Sequence, residues 1–242
     1  MKSENKIGIK KDKNDVGIKT LLVFKYIIMA IIVGIVVGII DTIFGRGLIE
    51  ISDFRNKNYK FLLPFLPIAG LFITWMYHKF NELSLKGMTL VFETRQQKRN
   101  SIPLALVPLV MVGTWITHLF GGSAGREGVA VQIGATLSHA FGKKLKMPDN
   151  SKVMLITGMA AGFGGLFQTP LTAIFFAMEV IVTGYMDYEA MLPAMIGAFV
   201  AYFTSHTLGL EKFEVNLNQT INMTDAKNGI AIIVLGIAFG IV

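Results

Sequence analysis

The sequence predicts an all-α, polytopic integral membrane protein. Of its 242 residues, 52% are hydrophobic and 16% are charged, and the mean hydropathy is +0.56. A soluble domain carries about 25% charged residues. Apolar runs of about 20 residues, the length that a helix needs to cross a bilayer, alternate with shorter apolar runs that glycine and proline interrupt. These observations favour helices packed in lipid over a water-soluble core.

The first third of the chain predicts two spans between basic segments. Residues 1–20 form a lysine-rich tail, which we expect in the cytoplasm because basic residues beside a first span favour that side. Residues 21–45 form the first span and are too long for a cleavable signal core. Residues 61–79 form the second. The polar segment 81–100 ends in a basic cluster, which is expected to return the chain to the cytoplasmic side.

The middle of the chain predicts both full-length and half-length helices. Residues 102–120 and 189–208 are long enough to span a bilayer. Between these two spans, we expect a break in the helical structure at Gly164, Gly165 and Pro170. Half-length helices at mid-membrane depth are tolerated only where they are buried in protein or line a cavity, and in transporters their N-termini point at anionic substrates. Three apolar runs are too short to span, namely 129–141, 152–163 and 171–183.

The strongest functional signal is the segment GGSAGREGVAVQIGA, residues 121–135. Its glycines permit tight turns, and a helix starting near Arg126 would present unpaired N–H groups at the positive end of its dipole. Such a terminus binds anions. Glu127 lies in the first turn, where its carboxylate would compete with a mobile anion and would leave on protonation, so that Glu127 serves as gate and proton carrier.

A purely structural role for the same segment is the alternative interpretation. The glycines would let helices pack closely, and Glu127 would be an ordinary acidic residue at a helix N-terminus, where negative charge is favourable. Because an ionisable residue between two membrane runs is by default a functional candidate, we favour the functional interpretation.

Other classes of function lack support in the sequence. There is no cysteine, and the four histidines do not have metal-ligand spacing. No nucleophile–base pair or nucleotide loop is evident, so we expect neither an enzyme nor a metal or cofactor site. The net charge is +7, and six of the lysines crowd the 20-residue N-terminal tail, which favours a membrane surface over nucleic acid as the partner of that tail.

Two motifs resemble a known family. GSAGREGVAVQIGA is similar to the GxGxEGP-type signature of the CLC chloride channels and anion/proton antiporters, and residues 160–180 resemble the family's later glycine-rich turn and proline-led helix. The resemblance implies a CLC-type fold in a homodimer, with Glu127 as the gating glutamate. Residues 21–208 would form the first inverted repeat, and 209–242 a linker and an incomplete second repeat. We expect the chain to be the N-terminal part of a longer protein. The residues implied at the anion site are Gly87, Met88, Ser123, Gly125, Arg126 and Gly128.

Three departures from the family pattern resemble its fluoride-exporting branch. Met88 stands where the chloride branch has a serine, Val129 replaces the proline of the gating motif, and Val180 stands where chloride/proton antiporters have an internal glutamate. The resemblance therefore implies fluoride, or otherwise chloride, exchanged for protons in the inner membrane of a bacterium. A passive anion channel and a non-transporting fragment remain alternatives. We expect Glu179 to bond buried backbone or a neighbouring polar side chain, with proton relay as the alternative, and we expect Asp41 to lie at the membrane interface.

Overall fold

The computed structural model describes residues 4–147, 152–181, 184–212 and 226–241. The regular structure of these residues is helical, with no strand among them. The all-α prediction is confirmed. Short 3₁₀ turns occur at Leu63–Phe65, Glu82–Lys86 and Tyr188–Ala190. The helices, in chain order, are α1 (Glu4–Leu62), α2 (Leu66–Asn81), α3 (Met88–Arg95), α4 (Leu106–Leu119), α5 (Glu127–Lys144), α6 (Lys152–Phe167), α7 (Pro170–Glu179), α8 (Met191–Thr207) and α9 (Ala226–Ile241).

Helix α1 is much longer than the span predicted at 21–45. It has 59 residues and contains a kink at Asn58. The polar residues after position 45 do not end it, because they are ordinary helix formers on a partly exposed surface. The chain turns only at Leu63–Phe65, where Pro64 provides no backbone N–H for a continuing helix.

Three further predicted boundaries were wrong. Helix α5 has 18 residues and is about 27 Å long at ~1.5 Å per residue, because it begins at Glu127 and continues past the apolar run to Lys144. Helix α6 runs through Gly164 and Gly165 to Phe167, since both glycines face neighbouring helices. Helix α4 has 14 residues instead of a full span. Helix α7, with 10 residues, is confirmed as half-length.

Helix α6 lies at the centre of the unit Met1–Lys212. Every residue from Val153 to Gly162 is buried, and α6 packs against α5, α8, α1 and α7. Large apolar side chains on α1, α2, α7 and α8 are exposed, as expected of surfaces that face lipid. The second unit, Phe213–Val242, contains α9. Division of the chain into repeats at residue 208 remains a prediction.

By length and composition, one helical stretch of the described chain, Lys19–Lys86, is long and apolar enough to cross a membrane. The shorter apolar helices are α4, α6, α7 and α9. A mixture of long and short apolar helices is the pattern that the sequence predicts.

Candidate anion site at the start of helix α5

A hydrogen-bonded turn closes helix α4 immediately before the glycine-rich segment. The N–H of Gly121 donates to the carbonyl of His118 (3.2 Å), and the N–H of Gly122 donates to the carbonyl of Thr117 (2.8 Å). Gly121 has φ +81°, and this combination is a Schellman motif. Arg55 of α1 also donates from Nη1 to the carbonyl of His118 at 3.4 Å. The loop that leads to α5 therefore leaves α4 in a fixed direction.

We expect Gly121→Ala to lower the free energy of unfolding by about 1–2 kcal/mol, because an L-residue in the left-handed region is strained. A Cβ at this position would also lie 2.7 Å from Leu63 Cδ1. Gly209→Ala is a matched control, since Gly209 has φ +76° and open space around it. Denaturant unfolding in detergent micelles should show a larger loss for Gly121→Ala. Equal losses of unfolding free energy in the two variants would mean that the contact with Leu63 does not affect stability.

The first turn of α5 has free backbone donors. The first backbone bond across it runs from the N–H of Ala130 to the carbonyl of Arg126 (3.0 Å), and no side chain caps the helix. The helix start predicted near Arg126 is confirmed. The N–H groups of Glu127, Gly128 and Val129 therefore lack intrahelical acceptors, and the helix dipole adds partial positive charge there. This is an arrangement suited to an anion.

The Glu127 side chain turns back toward the loop that precedes its helix. A Cβ built on Gly125 would lie 3.2 Å from Glu127 Oε2, so the carboxylate lies over Gly125. Glu127, Gly125 and Ser123 are exposed, and Arg126 and Gly128 are half-buried. The five residues predicted around the gate thus share one loop and one helical turn, although their roles in anion binding remain predictions.

The second predicted part of the site, Gly87–Met88, forms the start of helix α3. Gly87 has φ +51° and its N–H donates to the carbonyl of Ser84 at 3.0 Å. The preceding turn is capped by Asn81, whose Oδ1 accepts from the N–H of Ser84. Met88 is partly buried and packs against the largest apolar cluster of the protein.

A residue that the sequence analysis missed connects the two parts. Gln132 of α5 has 8% of its surface exposed. A Cβ on Gly87 would lie 3.5 Å from its Oε1, and a Cβ on Gly128 would lie 3.7 Å from its Nε2. Its carboxamide is therefore located between the turn before α3 and the first turn of α5. The available signal was its spacing, since Gln132 follows Gly128 by one helical turn and lies on the same face.

A charge cluster lies next to the Gly87 turn. Lys86 Nζ lies 3.2 Å from Glu93 Oε1, and Arg99 Nε lies 3.1 Å from Glu93 Oε2. Hydrogen bonds from Arg99 and Lys86 hold the pKa of Glu93 below its ordinary value of 4.5. The polar segment 81–100 is thus internally paired at the end predicted to face the cytoplasm.

Because the folded pKa of Glu93 is lowered, its stabilising effect is present above pH 4.5 and is lost as the pH falls through the folded value. We expect Glu93→Gln to lower the melting temperature slightly at pH 7. The difference from the wild type should disappear in thermal unfolding at acid pH. A difference that persists unchanged below the folded pKa would contradict this assignment.

The segment 160–180 is only partly as predicted. Helix α7 begins at Pro170, in agreement with a proline-led helix, and the Nε2 of Gln168 donates to the carbonyl of Leu210. Glu179 is exposed, which contradicts the expectation of a bond to buried backbone. Asp41 is completely buried beside Gly165 instead of interfacial, because α1 continues past position 45. Neither of its carboxylate oxygens has a hydrogen-bond partner among the described residues.

Comparison with known proteins identifies the family. The family model described as "Voltage gated chloride channel" matches residues 69–242, which is more than half of the chain. The chain belongs to the voltage gated chloride channel (CLC) family. This membership confirms the family resemblance, the location in a membrane and the expectation of a protein that is not an enzyme.

Relatives with fluoride or chloride in their names are similar to this CLC chain. It is 30% identical over 221 residues to the "Chloride/fluoride channel protein" of Pseudomonas syringae pv. tomato, covering 90% of this chain and 48% of the relative. It is 25% identical over 179 residues to the "Voltage-gated ClC-type chloride channel ClcB" of Salmonella typhimurium, covering 72% of this chain and 41% of the relative. The chain spans about half the length of the curated relatives that it matches.

Solved structures confirm the CLC-type fold. A crystal structure of a CLC-type fluoride/proton antiporter superposes with a TM-score of 0.81 at 44% sequence identity, covering 90% of this chain and 55% of the other. A slow cyanobacterial Cl⁻/H⁺ antiporter superposes with a TM-score of 0.68 at 19% identity, covering 89% of this chain and 54% of the other. At 19% identity, the second likeness is evidence for the fold alone.

Proposed function

We propose that this CLC chain takes part in transport of a small inorganic anion across a membrane in exchange for protons, with Glu127 as the gate and proton carrier. The observation that carries the proposal is the start of α5. The N–H groups of its first turn lack intrahelical acceptors, and the carboxylate of Glu127, which belongs to the same turn, lies beside Gly125. An anion and a deprotonated Glu127 would compete for these donors, and protonation of Glu127 would free them.

Fluoride is the proposed anion, with chloride as the alternative. A fluoride/proton antiporter is 44% identical to this chain, and Met88 begins α3 where the chloride branch of the family has a serine hydroxyl. We further propose a homodimer in the inner membrane of a bacterium, with the N-terminal tail in the cytoplasm. Exposed apolar side chains of α7 and α8, among them Phe175 and Phe203, would contribute to the contact between the two copies.

A passive anion channel is the second candidate. Val180, which stands where the family's chloride/proton antiporters have an internal glutamate, packs against the apolar core. Val180 cannot carry a proton. The adjacent Glu179 is exposed, and either it or another route would have to supply protons to Glu127 in an exchanger.

Ion flux from liposomes tests the proposal. The purified protein is reconstituted with internal fluoride or chloride, and ion-selective and pH electrodes record both ions together. We expect fluoride efflux with proportional proton uptake. Anion efflux without proton movement would indicate the channel, and absence of both fluxes from this chain and from any longer product of the same gene would contradict transport. Empty liposomes provide the leak control.

A further inference from the structure

The carboxamide of Gln132 occupies a position that only the folded chain creates. Three atoms of the carboxamide lie within 4.0 Å of a Cβ built on Gly87. Its Nε2 also lies 3.7 Å from a Cβ built on Gly128. Glycine at both positions leaves open the space beside the carboxamide. Gly128 belongs to the helical turn with free N–H donors, and Gly87 precedes the start of α3. The side chain therefore borders both helix N-termini.

The oxygen of this carboxamide is buried without the hydrogen bond that a buried acceptor requires. Gln132 is 8% exposed, and its Oε1 accepts no hydrogen bond from the described residues. Buried polar atoms in folded proteins are nearly always hydrogen-bonded. A side-chain amide has two N–H donors and an acceptor oxygen, so that it can donate to an anion and accept from a water molecule at the same time.

We propose that Gln132 is a specificity-determining residue that binds the transported anion together with one water molecule between Gly87 and Gly128. Its Nε2 donates to the anion beside the free N–H groups of α5, and its Oε1 accepts a hydrogen bond from the water. A small, strongly hydrated anion such as fluoride gains most from this contact, because it retains a water ligand as it enters. The inference rests on the proposed transport function and adds a side-chain ligand to it.

A turn further along α5, Thr136 provides a matched control. It is completely buried, and its Oγ1 also has no hydrogen-bond partner among the described residues. Thr136 contributes no atom to the surroundings of Gly87 or Gly128. If removal of any buried polar group from α5 perturbed the protein equally, then Thr136→Val and Gln132→Met would have the same consequences.

Anion binding and flux, measured on the same preparations, test the inference. Calorimetric titration with sodium fluoride and with sodium chloride gives the dissociation constants, and liposome flux gives the rates. We expect Gln132→Met to weaken fluoride binding by about 10- to 100-fold, as for loss of a hydrogen bond to a charged group, and to weaken chloride binding less. Thr136→Val should bind both ions as the wild type does.

Gln132→Glu extends the test if the methionine variant does not fold. It keeps the length and shape of the side chain but replaces the N–H donors by a second acceptor, so that fluoride binding should be lost at neutral pH. Wild-type affinities in both Gln132 variants would overturn the inference while leaving transport intact. Binding that depends on Gln132, without flux from this chain or from any longer product of the same gene, would support the site and contradict transport. A wild type that binds neither ion would overturn both.

Discussion

Gly134→Ala is expected to prevent helices α5 and α6 from packing at their observed separation. A Cβ on Gly134 would lie 1.9 Å from the carbonyl oxygen of Gly158, and a Cβ on Gly158 would lie 2.1 Å from the carbonyl oxygen of Gly134. Both obstacles are backbone atoms, so no rotamer change relieves them. The methyl group can be accommodated only if the two helices separate, and α6 is the helix against which most of the core packs.

The expected loss of unfolding free energy is about 3 kcal/mol or more, at the upper end of the cost of overpacking. The better helix propensity of alanine opposes this by about 1 kcal/mol. Thermal unfolding in detergent and the monodisperse yield from size-exclusion chromatography would measure the effect.

Gly70→Ala is a control that separates the effect of helix packing on the free energy of unfolding from the effect of helix propensity. Gly70 lies within helix α2, and a Cβ there meets no atom within 4 Å. We expect this control to be neutral or to gain up to about 1 kcal/mol. Wild-type stability in Gly134→Ala would show that the two helices do not cross at these glycines.

Glu127→Gln is expected to abolish coupled proton movement while allowing the anion to pass. Glutamine retains the shape of the side chain but carries no titratable proton, and it removes the negative charge that we propose competes for the N–H groups of α5. We expect proton uptake to fall by about 100-fold or more, as when a positioned proton carrier is lost. Parallel recording of fluoride and pH in liposomes gives the ratio of the two fluxes.

The controls for this variant are Glu50→Gln and Glu127→Ala. Glu50 is an exposed glutamate of α1, and its replacement should leave the fluxes unchanged. Glu127→Ala also removes the proton carrier but shortens the side chain, so that faster anion flux than in Glu127→Gln would indicate steric gating. Persistent coupled proton uptake in both Glu127 variants would contradict the role of this residue.

Local features of the chain were predictable where they depend on neighbours in sequence. The start of α5 after Arg126 follows from glycines that precede an apolar run, and α7 begins at Pro170 because proline favours the first helical turn. The end of α1 was wrong because the polar residues after position 45 continue the helix as far as the turn at Pro64, and the end of α6 was wrong because it depends on tertiary contacts. Glycines that would weaken an isolated helix, such as Gly164 and Gly165, allow Ala198 and Asp41 to approach closely.

The sequence by itself determined the helical class, the membrane setting and the position of Glu127 in the first turn of a helix, because composition and glycine placement act within a few residues. Only the tertiary structure decided that Gln132 lies between Gly87 and Gly128 and that Asp41 is buried beside Gly165. These contacts join segments far apart in the chain. Their geometry depends on how closely the helix backbones approach one another, and that distance is set by packing at the glycines where the helices meet.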